Sequence, residues 1–251
     1  MNYAIVTGAS RGLGESIGKL FLESNTALIT ISRSKNEQLE KLAAEKGLPF
    51  QHFFCDLSVG LETEKVFKEV ASVVFNEDVN KVYFVQNAGL VTPIGQVGQL
   101  DTKAMEDSLH VNLLSPMIAT NEMLHAATES KAELIIVNIS SGAGSRPVHG
   151  WGTYCTTKAG LNMFTETVAL ELSKNHSKHK AIAFSPGIMD TDMQGTIRSS
   201  TKESFDDIEK FQRYKKEGML RDTDTVAQAL MGLLLGDKIE SGKLYHVNNL
   251  L

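Results

Sequence analysis

Short apolar runs and longer amphipathic stretches alternate along the chain. The runs fall near 2–7 (NYAIVT), 26–32 (TALITIS), 49–55 (PFQHFFC), 81–86 (KVYFVQ), 133–139 (ELIIVNI), 180–185 (KAIAFS) and 243–247 (KLYHV). They are continuously apolar and do not alternate with polar residues, which is the pattern of parallel strands covered on both faces. Helical patterns lie between them near 12–24, 35–46, 60–76, 101–128, 152–176 and 222–235. This alternation predicts right-handed crossovers and an α/β fold with a doubly wound, seven-stranded parallel sheet. No linker, composition shift or internal repeat divides it, so one domain over 1–251 is expected.

The segment 187–219 breaks the rhythm. It opens GIMDTDMQGTIRSS and places Phe205, Ile208 and Phe211 at helical spacing. Doubly wound sheets bind ligands beyond the carboxyl ends of their strands, so an insertion there predicts a substrate lid. A surface helix packing its apolar stripe on the core is the alternative.

The 251 residues are 42% hydrophobic, enough for one large core, and their net charge of -5 argues against nucleic-acid or anionic-membrane partners. No run approaches the ~20 apolar residues of a membrane span, and MNYAIVTGAS lacks the charged start of a signal peptide. Cys55 and Cys155 make no disulfide framework, which fits a reducing, cytoplasmic setting. Cys155 is read as packing or pocket lining. The histidines are scattered apart from His176 and His179, so no metal site is expected.

The chemistry lies in one spacing. Tyr154 and Lys158 are four apart in a helical stretch and share a face, with Ser141 thirteen residues before the tyrosine. An ammonium beside a phenol favours the phenolate, and a tyrosine so tuned can exchange a proton with a carbonyl or alcohol near neutral pH. A hydride carrier would complete a carbonyl/alcohol redox reaction.

Such a carrier is predicted at the other end of the chain. Gly8, Ser10, Arg11, Gly12, Leu13 and Gly14 join the first strand to the first helix. Glycines there admit a pyrophosphate to the main chain, and the helix start supplies N–H donors. The same stretch fits the G-x-S-x-G elbow of a hydrolase, with Asp190 and His246 as nominal partners, but that reading leaves Gly14 and the Tyr154/Lys158 pair unused. The second strand ends in Ser32 and Arg33 with no acid at its tip. Arg33 and Arg11 suit a 2′-phosphate, so NADPH is expected over NADH.

With these residues assembled, the chain resembles the short-chain dehydrogenase/reductase family over nearly its whole length. The resemblance rests on TGASRGLG, Cys55-Asp56-Leu57, Asn87-Ala88-Gly89, Asn112, Ser141/Tyr154/Lys158 and Pro186-Gly187 followed by Thr191. It implies a Rossmann fold with Asp56 and Leu57 by the adenine, and with Asn87, Ala88 and Gly89 supporting cofactor and sheet. It further implies that Met189 and Thr191 hold the nicotinamide after the Pro186-Gly187 turn, that Asn112 anchors a water relay to Lys158, and that Ser141 is the third catalytic residue. Ser140 is read as structural. The helices 101–128 and 152–176 imply a homodimer or homotetramer.

The stretches SSGAG, GWGTYCTTKAGLNMFT and PGIMDTDMQGTIRSS are similar to the benzil reductases of the (S)-benzoin-forming group, itself similar to the sepiapterin reductases. This implies NADPH-dependent reduction of one carbonyl of a 1,2-diketone. His149, Trp151, Met189 and Met193 are the candidate substrate contacts, with Trp151 read either as an aryl-stacking face or as ordinary packing. LYHVNNLL offers no acid for a pterin. A non-catalytic NADP(H)-binding regulator on the same fold is the competing class.

Overall fold

The apolar runs form parallel strands in a computed structural model that describes residues 1–75, 79–236 and 239–251. In chain order the elements are β1 (Asn2–Thr7), α1 (Gly12–Glu23), β2 (Ala27–Ser32), α2 (Glu37–Glu45), β3 (Phe50–Phe54), α3 (Gly60–Val74) and β4 (Lys81–Gln86). They continue with α4 (Thr102–Leu109), α5 (Ser115–Ala127), β5 (Glu133–Ile139), α6 (Gly152–Lys174), β6 (Lys180–Ser185), α7 (Asp192–Arg198), α8 (Ile208–Lys216), α9 (Thr223–Leu235) and β7 (Leu244–His246). The last residue of the helix predicted over 60–76 lies outside the described residues.

Among the described residues the strands pair in the order β3-β2-β1-β4-β5-β6-β7, all parallel. The order reverses between β1 and β4, and a crevice opens where such a switch occurs. Successive strand residues enter opposite faces. Val6, Val137 and Phe184 pack with Phe21 of α1 and Leu230 of α9, while Ile5, Phe84 and Ile136 pack with Phe67 of α3 and Met123 of α5. Each such phenylalanine contributes roughly 1.5–3 kcal/mol of burial. The edge strand β3 departs from the expected pattern: it is only partly buried and Phe54 is exposed, because an edge strand has a neighbour on one side only.

Two predicted helices are revised. The pattern over 101–128 is interrupted by a π-helical turn, His110–Leu114, between α4 and α5. Helical periodicity continues through such a turn, so the hydrophobic pattern does not reveal it. In the 187–219 segment, Phe205 lies in a turn before α8, yet it is fully buried with Trp151, Ile197 and Ile208 in a third cluster. Among the described residues no helix is long and apolar enough to cross a membrane.

Candidate active site

The carboxyl ends of β1, β2, β4, β5 and β6 open into one crevice of about 1230 Å³. Its floor at the switch is sewn together by Asn87 and Thr7. Asn87 donates Nδ2 to the carbonyls of Thr7 (3.0 Å) and Gly8 (3.2 Å), while Thr7 Oγ1 accepts from the N–H groups of Asn87 (2.9 Å) and Ala88 (3.0 Å). Gly8 has φ +67° and Gly12 φ +61°, values that favour glycine. A Cβ on Gly14 would lie 2.4 Å from the Gly8 carbonyl oxygen, so this glycine permits close packing behind the loop. Gly8, Ser10, Arg11, Gly12 and Leu13 line the crevice, whereas Gly14 stands behind it.

Asn36 is a supporting residue that the sequence reading missed. Its Oδ1 accepts from Gln38 N (3.0 Å) and Leu39 N (3.1 Å) to cap α2, and its Nδ2 donates to the Ser10 carbonyl (3.1 Å) and to Glu15 (2.9 Å). An asparagine before a helix signals the cap. Nothing local signals its hold on the glycine loop.

Ser32, Arg33, Asp56, Leu57 and Gly89 line the same crevice. Hydrogen bonds from the Ser58 N–H (3.0 Å) and hydroxyl (2.8 Å) hold the Asp56 carboxyl below the usual carboxylate range, with Arg33 adding a smaller effect. On the opposite wall stand Pro186, Gly187, Met189, Thr191 and Met193. Between the walls, Arg11 Nη1 pairs with Asp192 Oδ2 at 3.0 Å.

Tyr154 and Lys158 sit one turn apart on α6, both buried, with Lys158 Nζ 5.8 Å from the Tyr154 ring centre. Burial raises the Tyr154 phenol above its ordinary range, and a side-chain hydrogen bond with Ser141 pulls it the other way. Burial also brings the Lys158 ammonium down to about 8. A phenol made acidic by its lysine was expected from the spacing. Here burial is the largest influence on the phenol, and the ammonium donates to the Ile139 carbonyl at 2.8 Å. The neighbouring Ser140 donates its hydroxyl to Asn162 Oδ1 at 2.5 Å.

Asn112 lies in the π-helical turn behind the crevice wall, fully buried. It clasps the main chain of Leu90, donating to the carbonyl and accepting from the N–H, both at 2.7 Å. A Cβ on Gly89 would sit 3.3 Å from Asn112 Oδ1 and 3.6 Å from Lys158 Nζ, so the two side chains flank the same glycine.

The substrate candidates divide. Met189, Met193 and Trp151 line the crevice. Trp151 is only 6% exposed, stacked on Phe205 at 4.9 Å and 12° and edge-on to Tyr154 and Phe211. One face is therefore already covered by the 187–219 segment, which favours packing over an open stacking platform. His149 is not among the lining residues. It is exposed and accepts from Asp206 N at 3.2 Å, because Gly150 (φ +78°) turns the chain against Ser204. Ser10, Asp190 and His246 all reach the crevice, but among the described residues no hydrogen bond joins them, and Asp190 pairs with Lys215. Both cysteines are unpaired; Cys155 packs beside the Trp151 cluster and does not line the crevice.

A family model for short chain dehydrogenase matches residues 2–202. The chain is 39% identical over 248 residues to a benzil reductase ((S)-benzoin forming) of Bacillus cereus, covering 99% of this chain and all of that protein. It is 30% identical to the sepiapterin reductase of Bos taurus, covering 95% of this chain and 91% of that one. A solved short-chain dehydrogenase/reductase from Saccharomyces cerevisiae superposes with a TM-score of 0.82 at 27% identity, covering 99% of this chain and 96% of that one.

Proposed function

The chain belongs to the short chain dehydrogenase family, and from that premise we propose that it is an NADPH-dependent carbonyl reductase acting on one carbonyl of a 1,2-diketone. Membership makes it an oxidoreductase, and its likeness to named reductases makes it a carbonyl reductase using a nicotinamide cofactor. The observation that carries the reading is the placement of Tyr154 and Lys158 in the same crevice as the glycine loop. The loop's bare main chain and the guanidinium groups of Arg11 and Arg33 suit a dinucleotide carrying a 2′-phosphate. The diketone rests on the 39% identity to a benzil reductase.

In this reading Gly8, Ser10, Gly12 and Leu13 hold the pyrophosphate, with Gly14 allowing the loop its close packing. Ser32, Arg11 and Arg33 hold the 2′-phosphate. Asp56 and Leu57 flank the adenine, and Asn87, Ala88 and Gly89 support the ring-bearing half. Pro186, Gly187, Met189 and Thr191 seat the nicotinamide. When bound, the reduced nicotinamide supplies a hydride to the carbonyl carbon.

Ser141 hydrogen-bonds the substrate oxygen and Tyr154 donates its proton to it. A protonated phenol is in the right state to act as an acid. Lys158 exchanges its bond to Ile139 for the ribose hydroxyls, which brings its charge to bear on the phenolate left behind. Asn112, beside Gly89, anchors the path by which Tyr154 is reprotonated. Trp151, Met189 and Met193 shape an apolar pocket beneath a lid formed by 187–219.

The reading includes a homodimer or homotetramer, supported by Met117, Met163 and Leu170 exposed on α5 and α6. It places the enzyme in the cytoplasm, where Cys55 and Cys155 stay reduced. A sepiapterin-type reductase is the second reading, favoured by the 30% identity to the bovine enzyme.

The deciding experiment follows NADPH and NADH oxidation with benzil, other diketones, sepiapterin and simple ketones, with chiral separation of the products. Selective NADPH consumption with diketones, giving one hydroxyketone, is expected. Preference for sepiapterin would select the second reading, and no consumption with any carbonyl compound would leave a cofactor-binding protein without reductase activity.

A further inference from the structure

Arg11 and Asp192 stand on opposite walls of the crevice. Arg11 immediately precedes α1, and Asp192 is the first residue of α7. Their charged groups meet at 3.0 Å although their side chains are 75% and 71% exposed. The walls approach here: Thr191 Cγ2 lies 3.8 Å from the point a Cβ on Gly12 would occupy. The ion pair therefore ties the glycine loop to the segment after β6, and it engages one of the two guanidinium groups suited to a 2′-phosphate.

A guanidinium fork binds a carboxylate or a phosphate with the same N–H groups. We propose that Asp192 is a specificity-determining residue that works against NADPH. It holds Arg11 in reserve, and a 2′-phosphate must take the guanidinium from it. This rests on the reading above that Arg11 meets that phosphate. NADH shares the pyrophosphate but lacks the 2′-phosphate that makes this exchange, so the pair persists with NADH and is broken only by NADPH. Asp190 stays paired with Lys215 of α8, so the exchange releases the start of α7 while α8 remains tethered.

Exposed ion pairs of this kind are worth about 0.2–1 kcal/mol, which limits the effect to about a five-fold change in Kd. The test is titration of protein fluorescence with NADPH and with NADH, at low salt, for the wild type, Asp192→Asn, Arg11→Ala and the double variant. Asp192→Asn is expected to tighten NADPH about two- to five-fold and leave NADH unchanged. The gain should shrink at about 0.5 M salt, where screening reaches only a few ångströms, and disappear in the Arg11→Ala background.

Weaker NADPH binding in Asp192→Asn would overturn the proposal, since Asp192 would then be orienting Arg11 for the phosphate. An equal shift for both cofactors, or none, would overturn it too. Failure of the underlying reading looks different, because Arg11→Ala would then weaken NADPH and NADH alike. If Arg11→Ala selectively weakens NADPH while Asp192→Asn is silent, only the role of Asp192 fails.

Discussion

Lys158 donates its ammonium to the main-chain carbonyl of Ile139, 2.8 Å away and nineteen residues upstream. The bond ties α6 to the last residue of β5 beside Ser141. It also places a cation where burial opposes charge, and the ammonium falls from 10.5 to about 8. Between those values the unfolded chain holds more protons than the folded one, so stability rises as pH increases from about 8 to 10.5. Below pH 8 the charged lysine opposes folding by up to roughly 3 kcal/mol, at about 1.4 kcal/mol per unit.

Lys158→Met should therefore raise the Tm at pH 7, and the gain should vanish by about pH 10.5. Thermal unfolding across this range checks it. A lower Tm at pH 7 would mean that the hydrogen bond to Ile139 outweighs the cost of the buried charge.

Tyr154→Phe removes the proposed acid and leaves the ring against Trp151. Turnover should fall by about 10²–10⁴-fold, the range for a general acid, while NADPH affinity stays within about two-fold. Single-turnover kinetics and fluorescence titration measure the two separately. Near-normal turnover would remove Tyr154 from the reaction. In parallel, Ser10→Ala should keep most turnover, whereas a hydrolase elbow would lose it all.

Gly14→Ala places a methyl group 2.4 Å from the Gly8 oxygen and 2.5 Å from Asn87 Nδ2. Overpacking of this kind costs about 1–3 kcal/mol, so a lower Tm and weaker cofactor binding are expected together. Gly195→Ala is the control, because nothing lies within 4 Å of its added Cβ in α7. It should be neutral or stabilising by up to about 1 kcal/mol.

Phe205 is fully buried and stacked on Trp151 at 4.9 Å. Phe205→Ala should cost about 3–5 kcal/mol of local packing and speed protease cleavage within 187–219. If that segment is the lid, KM for benzil should rise more than the Kd for NADPH. Equal changes in both would assign the cluster to general stability.

Features carried by near neighbours were legible in the sequence. Continuous apolar runs marked the strands, helical spacing joined Tyr154 to Lys158, and a strand-glycine-helix order marked the turn between β1 and α1. Other features depend on chain segments far apart. Asn36 on the Ser10 carbonyl, Arg11 on Asp192 and Lys158 on Ile139 link different elements, and no local spacing encodes them. His149 sits two residues before Trp151, yet Gly150 and the 187–219 segment turn it out of the crevice.

The order of elements and the chemical groups available follow from the chain's local pattern, because periodicity and i,i+4 spacing act over a few residues. The tertiary structure decided the electrostatic state of those groups. Spacing places Lys158 one turn from Tyr154, but burial, which pushes the phenol up, is set by everything that closes over α6.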